Sequence, residues 1–217
     1  WTFRQWRARM DKHPDLTHET SSLSEAQIIA QLGLNIKSLE GQLFPDTYLF
    51  DKQSSDLELL ARANRAMVRK LDAEWTQRAA GLPYRTPEEA LVMASIVEKE
   101  TGREADRSLV ASVFVNRLRK GMMLQTDPTV IYGLGDSFDG NLRKRDLQTD
   151  TPYNTYTRFG LPPTPISMPG QASLRAALNP AQSEALYFVA RGDGSSQFSQ
   201  TLEEHNNAVN RYQRGGK

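Results

Sequence analysis

The stretch Thr86-Pro87-Glu88-Glu89-Ala90-Leu91-Val92-Met93-Ala94-Ser95-Ile96-Val97-Glu98-Lys99-Glu100-Thr101 decides how the rest of the chain is read. It opens by helix-start rules, with Thr86 as N-cap, Pro87 at the first helical position and Glu89 at the third, reaching back as a capping box. With Ala90 at 0° and about 100° per residue, the apolar positions between Ala90 and Val97 centre near about 330°. Glu100 then falls about 50° from that centre, Glu98 about 110° away and Lys99 about 150° away. Of the two carboxylates, Glu100 is the one turned toward the core. Desolvation there raises a carboxyl pKa, and the negative end of the helix dipole acts in the same direction. Those are the conditions for a general acid working near neutral pH. Periodicity alone is equally compatible with a solvated Glu-Lys-Glu helix end.

Working outward, a second helix is expected over Glu104–Lys120, with Leu109, Val110, Val113, Phe114 and Leu118 as its apolar face and Gly121 just past its end. Gly81-Leu82-Pro83-Tyr84 reads as a joint. Before it, helices are expected over Trp1–Met10, Ser24–Leu32 and Ser55–Ala80, the last with Leu57, Leu60, Asn64, Met67/Val68, Leu71 and Trp75 as a stripe. Phe44-Pro45-Asp46-Thr47-Tyr48-Leu49-Phe50 is an aromatic turn and extended run that serves as a packing knuckle or a groove wall. Residues 121–170 are dense in turn formers and resist regular structure, a pattern frequent in functional loops. A short helix over Gln171–Leu178, a hairpin from Leu186–Ala190 to Gln197–Gln200 and a last helix from Leu202 complete the reading. The expectation is an α+β fold, with a helical subdomain over 1–85 and a catalytic domain over 86–217 carrying a small β component.

Composition excludes several classes. The 217 residues are 38% hydrophobic and 24% charged, ordinary for a globular protein, and the longest nearly apolar run, around Leu91–Val97, is too short to span a bilayer. Lys and Arg number 27 against 26 Asp and Glu, so a net charge of +1 gives no case for nucleic acid or an anionic membrane. With no Cys there is no disulfide, thiolate metal site or Cys nucleophile. No glycine-rich phosphate loop, Gly-x-Ser-x-Gly elbow or His-Glu-x-x-His occurs, and His13, His18 and His205 are too scattered for a convincing metal site or triad. No cofactor is implied. Carboxylates, hydroxyls and tyrosines remain, a mixture suited to glycosidic bonds.

The runs Ala94–Thr101, Val110–Leu118 and Leu124-Gln125-Thr126-Asp127-Pro128-Thr129-Val130-Ile131-Tyr132-Gly133 closely resemble the YceG-like, endolytic murein transglycosylase family of bacteria. The likeness continues through Tyr153-Asn154-Thr155-Tyr156, Gly160-Leu161-Pro162-Pro163, Pro169-Gly170 and Leu186–Ala190 to Glu204-His205-Asn206. Upstream it includes Glu40-Gly41 and Phe44-Pro45-Asp46-Thr47, and it spans roughly Glu40 to Asn206. The resemblance implies a single-pass enzyme of the bacterial inner membrane, its catalytic part in the periplasm, that cuts nascent peptidoglycan strands internally and limits their length. It also implies peptidoglycan strands as substrate and peptidoglycan synthases as possible partners. The chain starts at Trp1 without Met or signal peptide and reads as a fragment that begins after the membrane anchor and most or all of a LysM-like region.

The family's catalytic glutamate, the second Glu of Glu-Lys-Glu-Thr, falls on Glu100, in agreement with the helical phase. Gln125, Thr126, Asp127, Tyr132, Tyr153, Asn154 and Tyr156 are candidates for the glycan groove. Amides and hydroxyls can hold acetamido and hydroxyl groups, and tyrosine faces can pack on sugar rings. For each, holding the loops together is the alternative, and Asp127 beside Pro128 also suits a turn or cap. Asn116 either orients Glu100 or satisfies buried backbone. A hydrolytic muramidase using the same acid and an inactive glycan-binding scaffold are the rival functions.

Overall fold

The computed structural model describes residues 1–215. Helices carry the fold and, among the described residues, strands form two small pairs, so the class is α+β. In chain order the elements are α1 (Phe3–Met10), β1 (Leu16–Thr17), α2 (Glu25–Gln31), β2 (Ser54–Ser55), α3 (Asp56–Thr76), α4 (Pro87–Glu100) and α5 (Glu104–Arg119). Then follow α6 (Asp127–Leu134), a 3-10 turn (Gly135–Ser137), α7 (Lys144–Gln148), α8 (Gln171–Leu178), β3 (Tyr187–Ala190), β4 (Ser196–Ser199) and α9 (Leu202–Tyr212).

The helix starts follow from their caps. Thr2, Ser24 and Thr201 each form a full capping box with the residue three positions on, and Ser55 accepts from the Leu57 and Glu58 amides. At α4, Thr86 accepts from the Glu89 amide, but the Glu89 carboxylate takes the Arg85 N–H at 2.6 Å, not that of Thr86. The expected capping box is thereby displaced by one residue. Helix α3 stops at Thr76, short of Ala80, and its stripe runs through Met67, while Val68 is 46% exposed.

Residues 121–170 contain more order than their turn formers suggest. Thr126 is the N-cap of α6, and Pro128 stands in its first turn, where the missing N–H costs nothing. Val130 is buried beneath it, so one apolar anchor and a correctly placed proline outweigh the flanking glycines. The parallel pair β1–β2, Leu16 opposite Ser54 and Thr17 opposite Ser55, also has no local signal, because two-residue strands have no periodicity to read. The antiparallel pair β3–β4 sets Tyr187 opposite Ser199 and Phe188 opposite Phe198, close to the expected hairpin.

Two clusters of buried apolar residues organise the interior. One gathers Phe3, Trp6, Met10, Ile28, Leu39 and Leu60; the other is built around α4 and α5, with Leu91, Ile96, Val110 and Phe114 at its centre. Helix α3 feeds both, through Leu59, Leu60 and Ala63 at one end and Met67 and Leu71 at the other. Met168, distant in sequence, closes the first cluster, and its N–H donates to the Trp1 carbonyl at 2.7 Å. Nearby, Gly41 has φ +77°, and a Cβ there would stand 2.4 Å from the Pro165 Cβ. The chain runs on to Ile166, whose N–H donates to Ser95 Oγ, and to Ser167, whose hydroxyl donates to the Ser95 carbonyl on α4. These bonds lie just before Glu98 and Glu100 in the same helix.

Candidate active site

Glu100 is the last residue of α4, and Thr126 is the residue immediately before α6, so the end of one helix meets the start of another. The Thr126 side chain makes no cap bond to its own helix; its hydroxyl donates to Glu100 Oε1. Thr126 is only 1% exposed, and its N–H donates to Thr155 Oγ1 at 3.1 Å, which fixes the hydroxyl's direction. The preceding Gln125 holds a left-handed backbone at φ +52°, a conformation worth about 1–3 kcal/mol of local strain in a non-glycine residue. Its N–H donates to the Thr155 carbonyl at 3.1 Å.

Glu100 is half-buried, open on one side to a cleft of about 390 Å³. That volume lies in the range of roughly 300–1,000 Å³ usual for small-ligand sites. The cleft is lined by Glu100, Arg117, Gln125, Asp127, Tyr156 and His205 over a floor that includes Val113, Phe114 and Phe188. Although the residue reaches the cleft, its carboxyl group is densely surrounded, and burial pushes its pKa above the ordinary carboxylate range. The Thr126 hydrogen bond opposes that rise, and the negative charge of Asp127 adds to it. The result is a carboxyl group that holds its proton to higher pH yet sits where a ligand can reach it.

The residues singled out by sequence divide into two groups. Gln125, Thr126, Asp127 and Tyr156 gather around Glu100, with the Tyr156 hydroxyl donating to Asp127 Oδ1 at 2.6 Å. Tyr132, Tyr153, Asn154 and Asn116 are directed elsewhere. Tyr132 donates to Glu40 Oε2 at 3.2 Å and meets Tyr153 edge-on at 4.9 Å, and the Tyr153 hydroxyl shares a 2.8 Å bond with Thr164 Oγ1. Asn154, fully buried, donates to the carbonyls of Asp146, Leu147 and Thr149 and ties down the end of α7. Asn116 donates to the carbonyls of Ser183 and Ala185 and satisfies the backbone leading into β3.

Three residues not chosen as site candidates above take part in or beside the site. Glu98 is no solvated helix-end residue: its Oε2 accepts from the Gly170 N–H at 3.1 Å and the Ser173 hydroxyl at 2.6 Å, capping the start of α8. Arg117 lies on the apolar face of α5, three residues after Phe114 and four after Val113, and that spacing could have marked it as inward-facing. His205 stacks on Tyr187 with ring centroids 5.2 Å apart, a partnership invisible along the chain. Among the described residues Asp11, His18 and Asp56 also come within 4.8 Å of one another. None of them lines the cleft, and Asp56 already accepts bonds from the Glu19 and Thr20 N–H groups and the Thr20 hydroxyl.

A profile of the YceG-like family matches residues 1–211. The chain belongs to the YceG-like family. The match reaches well beyond the Glu40–Asn206 span in which the motifs are evident. A Bacillus subtilis protein named endolytic murein transglycosylase is 43% identical over 183 residues, covering 82% of this chain and 49% of that protein. A Streptococcus pneumoniae protein of the same name is 34% identical over 177 residues, covering 79% of this chain and 32% of its relative. This YceG-like chain thus spans about half the length of one curated relative and about a third of the other. The crystal structure of a yceG-like protein from Listeria monocytogenes superposes with a TM-score of 0.76 at 37% identity, covering 95% of this chain and 73% of the other. The overall fold is therefore shared with an experimentally determined YceG-like relative.

Proposed function

We propose that this chain is the catalytic part of a lytic transglycosylase that cuts peptidoglycan strands internally, with Glu100 as its acid and base. The observation that carries the reading is a densely surrounded carboxyl, bonded to Thr126 and raised in pKa by burial, at the wall of an open polar cleft. The names of the B. subtilis and S. pneumoniae relatives support the substrate class. In the reaction, protonated Glu100 gives its proton to the oxygen of the β-1,4 bond between N-acetylmuramic acid and N-acetylglucosamine as the bond to C1 breaks. The muramoyl 6-hydroxyl oxygen attacks C1, and its proton passes to the Glu100 carboxylate. The product is a 1,6-anhydromuramoyl end, no water is consumed, and Glu100 finishes protonated. Asp127 and the Tyr156 hydroxyl supply polar stabilisation near the developing charge.

In the cell this activity limits the length of nascent glycan strands, beside the synthases that make them. The enzyme works at the periplasmic face of the inner membrane, held by an anchor upstream of Trp1. No helix among the described residues is long and apolar enough to cross a membrane.

A hydrolytic muramidase is the second reading, favoured by one observation: Asp127 places a second carboxylate in the same cleft, where it could activate water. Digestion of purified glycan strands, with product ends read by mass spectrometry, separates the two. Anhydro ends from the wild type, reduced at least about a thousandfold by Glu100→Gln, fit the transglycosylase. Reducing muramic acid ends, lost with Asp127→Asn as well, fit the muramidase. No cleavage of any strand would overturn both and leave a binding module.

A further inference from the structure

The cleft holds two carboxyl groups, and it also holds donors that neither of them satisfies. Glu100 takes its bond from Thr126 and Asp127 takes its bond from Tyr156. Arg117, 7% exposed, directs Nε to the Leu186 carbonyl at 2.7 Å, and Nη1 to the Met123 and Leu124 carbonyls at 3.1 Å and to Gln125 Oε1 at 3.2 Å. Its Nη2 donates to none of the described residues, and no carboxylate oxygen among them lies within 4.0 Å of the guanidinium. Nor does Nη2 belong to the polar atoms that the protein encloses without a partner, so this donor opens on the cleft that Arg117 lines.

A second donor stands beside it. The guanidinium lies over the Tyr187 ring, 5.0 Å from its centroid, and His205, which also lines the cleft, stacks on the same ring. The Nδ1 of His205 is enclosed without a partner among the described residues, whereas Nε2 is not enclosed. Burial and the Arg117 charge both disfavour an imidazolium here. A proton on Nδ1 would be a buried N–H with no acceptor, so this accounting assigns the proton of the neutral ring to Nε2. Beneath the two donors the floor is apolar, with Val113, Phe114 and Phe188, the two phenylalanines meeting edge-on at 5.9 Å. Donors without acceptors above an apolar floor suit an acetamido group, whose carbonyl oxygen has two lone pairs and whose methyl lies beside it; a hydroxyl brings its own donor and no methyl.

We propose that Arg117 and His205 hold the acetamido group of the N-acetylglucosamine unit next to the muramoyl sugar, and that the enzyme thereby passes over strands whose glucosamine has lost its acetyl group. This rests on the peptidoglycan reading. The glucosamine unit is the one free to enter an enclosed subsite, because its C3 bears a hydroxyl where muramic acid bears the lactyl ether and, in a nascent strand, the stem peptide. De-N-acetylation removes the carbonyl, leaves both donors unpaired and sets an ammonium beside the Arg117 guanidinium. A site built to hydrogen-bond a group rejects the analogue lacking it more strongly than a site built on apolar fit.

The test compares cleavage of three peptide-bearing strand preparations by the wild-type chain: N-acetylated, de-N-acetylated at glucosamine, and the latter acetylated again with acetic anhydride, with N-acetylated strand treated by the same anhydride as its control. The N-acetylated strand is expected to exceed the de-N-acetylated one in kcat/KM by at least about tenfold, with re-acetylation restoring the loss. His205→Phe keeps a ring on Tyr187 but removes the donor and should reduce the preference about threefold, while His205→Gln, which keeps a terminal N–H, should retain more of it. Arg117→Gln should lower the preference further. Because Arg117 also ties down Leu186 and the 123–125 segment, thermal melting accompanies each variant, and the wild-type preference stands as evidence without any variant. Equal cleavage of all three strands would overturn the proposal and leave the transglycosylase reading intact. Faster cleavage of the de-N-acetylated strand would overturn it by showing that Asp127 and Glu100 set the field at the glucosamine nitrogen. A preference that survives both His205→Phe and Arg117→Gln would overturn the assignment to these residues, and no cleavage of any strand would overturn both readings.

Discussion

Glu40 and Glu100 are both carboxyl groups raised by burial, yet their surroundings differ in the way that separates structure from chemistry. Glu40 is 4% exposed, accepts the Phe3 N–H at 3.1 and 3.2 Å through its two oxygens, and receives the Tyr132 hydroxyl on Oε2. Its pKa is pushed up to about 7, chiefly by desolvation. Every direction around it is filled by protein. Glu100 has one bond, from Thr126, and otherwise faces an open cleft. A perturbed carboxyl becomes a candidate acid only where a reacting atom can approach it, and pKa alone does not distinguish the two.

The largest contrast is expected between Glu100→Gln and Glu40→Gln. The first should remove strand cleavage and leave the melting temperature nearly unchanged; the second should leave turnover within about threefold and act on stability. Loss of cleavage in both, measured on the same glycan strands, would break the comparison.

The next effect concerns pH. Folded Glu40 titrates near about 7, against an ordinary 4.5, so between those values the folded protein holds a proton the unfolded chain has lost. The group's contribution to stability is therefore fully present below about pH 4.5 and falls as pH rises to about 7, by up to roughly 3 kcal/mol. Subtracting the Glu40→Gln profile from the wild-type profile in denaturant melts at pH 4.5–7.5 should display that slope. Parallel profiles would show that Glu40 is charged at neutral pH after all.

Smaller effects refine the Glu100 side. The Thr126 hydroxyl stabilises the carboxylate, so Thr126→Val should move the basic limb of kcat/KM to higher pH, with Thr126→Ser restoring it. Asp127 acts oppositely, and Asp127→Asn should move the limb to lower pH, by less than Thr126→Val moves it up, because Asp127 is solvent-exposed and its field is screened. A limb unmoved by either variant would detach the titration from Glu100.

Much of the fold was legible wherever local chemistry decides local structure. Thr86 announced its helix as N-cap, the expected starts at Ser24, Ser55 and Leu202 fall at or beside the caps Ser24, Ser55 and Thr201, and the apolar run Leu186–Ala190 announced the hairpin. Helix α6 was obscured because Thr126-Asp127-Pro128 spells a turn and a helix start equally well, and burial of Val130 settles the choice through contacts far away in sequence. Helical phase turned Glu100 toward the protein, but it could not foresee that α8 would bring its unpaired amide to Glu98. Within the candidate site, the 125–127 segment and Tyr156 were named from local motifs. Arg117 and His205 escaped because their significance lies in a shared partner, Tyr187, that the chain brings between them only on folding.

Gly41 has a mechanical consequence. Its bare Cα is pressed against Pro165, and the strand of chain leading on from Pro165 is clamped to Ser95 in the middle of α4. The thickness of a glycine backbone is thus the shim that sets how far the N-terminal layer stands from the rod on which Glu100 is mounted. A single methyl group at position 41 would act as a wedge, and its displacement would be delivered along α4 to the carboxyl at the rod's end without touching the cleft.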